Sequence, residues 1–314
     1  MQNNTQHMLN LFVANARTAR EVFTWSYASA RRLAAFIYAR QGMLIDCSAI
    51  NFCSELIKTK TSAFSAFRGG TLCTETLLSL SRDPRGLVDE MLKAHGLLKK
   101  EKFLAGDYSI IAAQQIAEQM APSDYSVVAS KARALYKDIK SRHFFGTGTT
   151  NTLALTGIVM SGIEPMIAAE RIEMFQSLLK GVLPSKSSRL ILAQTFVLAG
   201  ADDSAVNRVI AIGDALKARK INIKQLYLVP MLGVLALLPN DADAIARDIE
   251  EVQAILKMQK GFRALYVSKQ ELFLFAAAVV AIGYPESMKN GVVMTALITG
   301  VLYIIMMQRA AASS

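Results

Sequence analysis

The sequence predicts an all-α fold: an α-solenoid of two-helix repeats, with a period of about forty residues and helical caps at both ends. Two independent series of landmarks predict it. Turn-like clusters at Asp83-Pro84, Pro122-Ser123-Asp124, Glu164-Pro165, Asp202-Asp203 and Pro239-Asn240-Asp241 recur at intervals of 38, 43, 37 and 37 residues. Basic clusters interleave with them. The apolar residues that accompany these clusters, Phe103, Phe144, Leu183, Ile221 and Phe262, recur at 41, 39, 38 and 41 residues.

Residues 1–64 depart from the repeat and read as three helices, at about 6–16, 19–41 and 47–58, with Trp25 the only tryptophan. They are expected to cap the exposed core of the stack. Residues 65–262 hold five repeats. The first helix of each is almost continuously apolar, as in Tyr108–Ile116, Leu190–Leu198 and Leu226–Leu238, the pattern of a helix buried on most sides. The second is amphipathic. Ile245, Ile249, Val252 and Leu256 share one face, and Val128, Ala132, Leu135 and Ile139 do the same in an earlier repeat. Asp83, Asp124, Glu164, Asp203 and Asp241 stand where the second helices start, to cap free N–H groups and complement the dipole. Pro84 and Pro165 suit the first turn. Lys and Arg clusters stand where those helices end.

Residues 263–314 close the other end, so that the chain reads as one continuous domain. Within them Gly291–Gln308 is a run of 18 residues without a charge, which reaches the lower limit for a membrane span. The other reading is a buried closing helix with Gly291, Thr295 and Thr299 as a small packing face. That reading is preferred, because no other segment looks membranous; a membrane anchor through this segment is the alternative.

Composition bounds the function classes. Hydrophobic residues make up 52% of the 314, which excludes a disordered chain. Cys47, Cys53 and Cys73 form no C-x-x-C and read as reduced thiols in the cytoplasm. The polar start Met1–Thr5 lacks the apolar region of a secretory signal. The net charge is +10, and residues 1–64 carry 7 Lys and Arg against 3 Asp and Glu.

The segment Phe64-Ser65-Ala66-Phe67-Arg68-Gly69 is followed by Leu97-Leu98-Lys99-Lys100-Glu101-Lys102-Phe103, by Leu135-Tyr136 with His143-Phe144-Phe145, and by the terminal Ala310-Ala311-Ala312-Ser313-Ser314. Together these resemble an uncharacterised bacterial family, domain of unknown function 4003. The resemblance spans nearly the whole chain and implies a cytoplasmic, all-helical protein, mainly of Firmicutes, with no established activity. Acids often follow the His-Phe motif in that family. Here Gly146-Thr147-Gly148-Thr149-Thr150-Asn151 stands instead, so no role for acids is carried over.

No catalytic, cofactor or metal-ligating residue is assigned. His7, His95 and His143 have neither Cys nor carboxylate at ligand spacing. The loop Gly146–Asn151 has backbone N–H groups that suit a phosphate, yet it lacks the lysine of a P-loop and reads as an inter-repeat turn with a threonine cap. Arg68-Gly69-Gly70-Thr71 has the same two readings. The expected function is a non-enzymatic scaffold that binds a protein or peptide on its curved face. The alternative is nucleic-acid or other polyanion binding along a basic edge. Its candidate contacts are Arg68, Lys99, Lys100, Lys140, Arg142, His143, Lys217, Arg219 and Lys220. A third reading is an enzyme using the loop near His143.

Overall fold

A computed structural model describes residues 3–69, 72–142, 151–223, 225–284 and 291–312. The described residues contain fifteen α-helices, a few 3-10 turns and no strand. The fold is all-α. Contacts divide the chain into two compact units, one made of residues 1–45 and 171–314, the other of residues 46–170. These boundaries differ from the grouping 1–64, 65–262 and 263–314 drawn from sequence.

The first unit opens with α1 (Asn3–Val22) and α2 (Ala28–Arg40). Its break falls at residues 23–27, later than the expected break after residue 16, because Phe23 is buried and folds the chain over at the helix end. The buried Asn15 side chain donates to the carbonyls of Ala35 (3.3 Å) and Met43 (2.9 Å) and accepts from the N–H of Ile45 (2.9 Å). It therefore satisfies backbone groups that no helix pairs.

In the second unit α3 (Cys47–Lys60) is followed by α4 (Leu72–Ser79), α5 (Pro84–Lys100), α6 (Asp107–Gln119), α7 (Tyr125–Arg142) and α8 (Thr152–Met160). Here α5 packs against α3, α6 and α7, while α6 packs against α4 and α8. Cys53, Leu56, Ile57, Phe67, Val88, Met91 and Ile110 share one core. The helix α9 (Pro165–Leu178) begins in this unit and ends in the first.

The first unit continues with α10 (Lys186–Ala199), α11 (Ser204–Ala218), α12 (Val229–Ala236), α13 (Ala242–Met258), α14 (Lys269–Ile282) and α15 (Val292–Ala312). In it α10 packs on α12, α11 on α13 and α12 on α14. Two arginines 37 residues apart in the sequence make the same link. Arg171 donates to the carbonyl of Ala201 (2.8 Å), and Arg208 to the carbonyl of Leu238 (2.6 Å). Each reaches the chain just past the end of an apolar helix, α10 or α12, where carbonyls have no helical partner.

The caps divide. Asp83 accepts from the N–H of Gly86 (3.0 Å), and Asp241 accepts from the N–H groups of Asp243 (2.8 Å) and Ala244 (3.3 Å), both as expected. Asp124 instead lies inside a 3-10 turn, Pro122–Asp124, and Asp203 makes no side-chain cap; Asp202 takes that role by accepting from the Ser204 N–H (2.9 Å). Glu164 pairs with Lys131.

The apolar tail is a core helix in its packing. α15 lies against α2, α10, α12 and α14, and α1 lies against α14. It is long and apolar enough to cross a membrane, yet 61% of its apolar window is buried inside the protein. The close approach comes at Gly300: a Cβ there would stand 2.7 Å from the Leu274 side chain of α14. Gly291, named in the expected packing face, is exposed and precedes the helix with φ 65°.

Candidate functional site

An opening in residues 46–170 is built around the motif Phe64–Gly69. It begins where α3 ends. The Thr61 hydroxyl donates to the Ile57 carbonyl (2.6 Å), and Arg68 donates to the carbonyls of Lys58 and Thr61, so the last carbonyls of α3 are satisfied by an arginine from the following turn. This turns the chain back and throws Phe64 outward, fully exposed (100%). Phe67 goes inward and meets the His95 ring edge-on, with centroids 5.0 Å apart.

The result is a cavity of about 440 Å³, open to solvent. Lys60, Ser65 and Phe64 form one side, and Leu92, His95 and Lys99, on one face of α5, form the other. His95 Nε2 lies 3.3 Å from the Ser109 hydroxyl. Burial, and then the neighbouring Lys99, lower its pKa to about 4, so the imidazole is neutral at pH 7. Lys60 is held by Asp89 at 2.8 and 2.9 Å. The opening thus presents an exposed aromatic ring, a neutral imidazole, a hydroxyl and the ammonium of Lys99, while that of Lys60 is paired with Asp89. Such a set suits an extended chain with an apolar side chain and an acid.

In the same unit α4 carries a second unusual group. The carboxyl of Glu75 is buried, and its Oε2 has no hydrogen-bond partner among the described residues. Burial, reinforced by Asp107, pushes its pKa up to about 7. Burial raises the Cys53 thiol to about 11 and the Cys73 thiol well above its ordinary value, with the Glu75 charge adding to both. These thiols are protonated and inert. In the first unit a cavity of about 430 Å³ adjoins Arg208, but that guanidinium is occupied by the carbonyls of Ala236, Leu238 and Asn240.

The sequence-derived contacts fare unevenly. Lys99 lines the cavity. Arg68 is adjacent but spent on the α3 carbonyls. Arg142 grips Asp138 at 2.9 and 3.1 Å, and Arg219 grips Asp243 at 2.7 and 3.0 Å with Glu250 at 3.5 Å. Lys140 lies 5.9 Å from the Tyr136 ring. Lys100 and Lys217 are exposed, and Lys220 turns the chain with φ 59°. His143 and the loop Gly146–Thr150 lie outside the described residues. The sequence reading gives neither Phe64 nor His95 a binding role. The spacing Leu92, His95, Lys99 along one helical face was the available signal for the latter.

The family model for a protein of unknown function (DUF4003) matches residues 15–310. The chain belongs to this family. In this DUF4003 chain the cavity is formed by part of the motif that carried the resemblance, Phe64–Phe67. No curated protein and no solved structure matches it.

Proposed function

We infer that this protein is a non-enzymatic scaffold of HEAT-like two-helix units, a solenoid, that works in the cytoplasm and holds an extended peptide segment of a partner protein. The solenoid reading draws support from like-on-like packing within each unit, α5 on α7 and α6 on α8, then α10 on α12 and α11 on α13. The recurring arginine links at Ala201 and Leu238 support it too. The free thiols of Cys47, Cys53 and Cys73 fit a reducing compartment.

The observation that carries the binding reading is the open cavity with Phe64 fully exposed on its rim and Lys99 beside it. An exposed phenylalanine beside a cavity offers an apolar anchor point for such a segment. The polyanion reading is weaker, because Arg68, Arg142 and Arg219 are engaged within the protein.

The test is selection of binders from a displayed peptide library by the full chain, followed by fluorescence titration. Selected peptides should combine an apolar anchor with an acid. Phe64→Ala and Lys99→Glu should each weaken binding by about tenfold, the effect of losing one well-placed contact. Binding indifferent to both changes, or tighter binding of RNA or duplex DNA at physiological salt, would overturn the reading.

A further inference from the structure

The first unit has an edge that neither the scaffold reading nor its cavity uses. Two loops and a helix end meet there. Arg31 and Arg32, neighbours on α2, divide between the loops. Arg31 reaches the carbonyls of Arg20 and Phe23 at the end of α1, each at 3.5 Å. Arg32 donates to the carbonyls of Gly261 (3.0 Å) and Tyr266 (2.6 Å) in the loop between α13 and α14. The Arg20 side chain lies against Gly261, which takes a φ of 97° that favours glycine. The third part arrives from α15, whose Arg309 stands over the Tyr27 ring at 5.8 Å.

This edge exposes large apolar side chains. Trp25 is 65% exposed, Met258 74% and Leu265 90%, with Tyr27 and Tyr266 beside them. It is also cationic. There is no acid from residue 252 to residue 270, where Lys257, Lys260, Arg263 and Lys269 are all exposed. From residue 17 to residue 40, Glu21 is the one acid among five arginines. The arginines at the centre crowd each other: burial and then the charges of Arg32 and Arg20 lower the Arg31 pKa. Arg32 itself is paired with the buried Glu271, so the charge that faces solvent at this edge is that of Lys257, Lys260, Arg263 and Lys269.

We propose that this edge docks the protein on an anionic lipid bilayer, with Trp25 and Leu265 entering the headgroup region and Lys257, Lys260 and Arg263 facing the lipid phosphates. Tryptophan, tyrosine and long apolar side chains suit the boundary between water and hydrocarbon. Cations beside them are drawn to an anionic surface. A nucleic acid would use the cations but leave Leu265 and Met258 in water. The association is peripheral, because the apolar faces of α15 are already covered by α2, α12 and α14.

Trp25 is the only tryptophan and reports on its own contact. The full chain is mixed with vesicles of phosphatidylcholine alone, or of equal parts phosphatidylglycerol and phosphatidylcholine, at low and physiological salt. Flotation should show at least about tenfold stronger partition onto the anionic vesicles, weakening as salt rises. Trp25 emission should shift to the blue and be quenched by lipids brominated close to the headgroup. Leu265→Glu should abolish the shift, and the pair Lys260→Glu and Arg263→Glu should lower partition on the order of twenty-fold or more. Both variants should keep the parent circular dichroism and melting curve, since these side chains are in solvent. Equal binding to neutral vesicles, binding that survives both variants, or an unshifted Trp25 on bound vesicles would overturn the proposal. So would RNA or duplex DNA that shifts Trp25 at lower concentration than the anionic vesicles do.

Discussion

In the unit formed by residues 1–45 and 171–314, the buried carboxylate of Glu271 meets the Arg32 guanidinium at 2.7 Å. The rest of that guanidinium is used on the carbonyls of Gly261 and Tyr266 and over the Phe262 ring. In residues 46–170, Glu75 is also buried and faces no cation at ion-pair distance among the described residues; burial, and then the charge of Asp107, oppose its ionisation. His95 in the same unit is buried and pushed toward its neutral form. One unit pairs its buried charge, whereas the other shifts its buried groups toward their neutral forms. The physical alternatives are the same in both, because an ion leaves water at a cost of several kcal/mol unless a partner or a proton neutralises it. The difference teaches where each unit is rigid. The paired charges tie α2 to α14 and to a distant loop, whereas the neutral groups tie little and make their region sensitive to pH.

The largest expected effect breaks the paired side. Arg32→Met leaves Glu271 buried with no countercharge and frees two carbonyls, and should cost about 3–5 kcal/mol in urea denaturation followed by circular dichroism. A loss below about 1 kcal/mol would mean that the pair is not the tie described.

The next sharpens the neutral side. Glu75 has a folded pKa near 7 against an ordinary 4.5, so the folded state holds more protons than the unfolded between those values. Its contribution falls as pH rises from 4.5 to 7, by at most ~3 kcal/mol. His95 runs the other way. Its folded pKa, about 4 against 6.5, means that stability is lost as pH falls through that window. The two oppose each other between pH 4.5 and 6.5. Relative to the parent, Glu75→Gln should therefore make stability rise more steeply with pH, and His95→Gln should make it rise less or fall. Identical pH slopes in denaturation curves of all three proteins would refute the neutral burial of both groups.

The smallest effect should be alike in the two units. Asp83 caps α5 in one and Asp241 caps α13 in the other, each with its side chain on first-turn N–H groups. Asp83→Ala and Asp241→Ala should each cost about 1 kcal/mol in the same denaturation assay. Equal costs would show that the contrast between the units lies in their interiors and not in their helix ends.

What the sequence determined by itself is what neighbours in sequence decide. The helical period, the amphipathic face of Ile245, Ile249, Val252 and Leu256, and the caps at Asp83 and Asp241 involve residues within one or two helical turns, and all stand in the structure. The motif Phe64–Gly69 marked the family and also the place of the cavity. Tertiary structure alone decided how each ionisable group is used. Arg68 was readable as an anion contact until the α3 carbonyls came within reach, and Arg219 until Asp243 folded beside it. The packing of α1 and α2 against α14 and α15 joins segments more than two hundred residues apart, which no periodicity encodes. Partner and burial depend on the field and the packing summed over the whole fold, and these set whether a carboxylate such as Glu75 is pushed toward its neutral form or, like Glu271, meets an arginine.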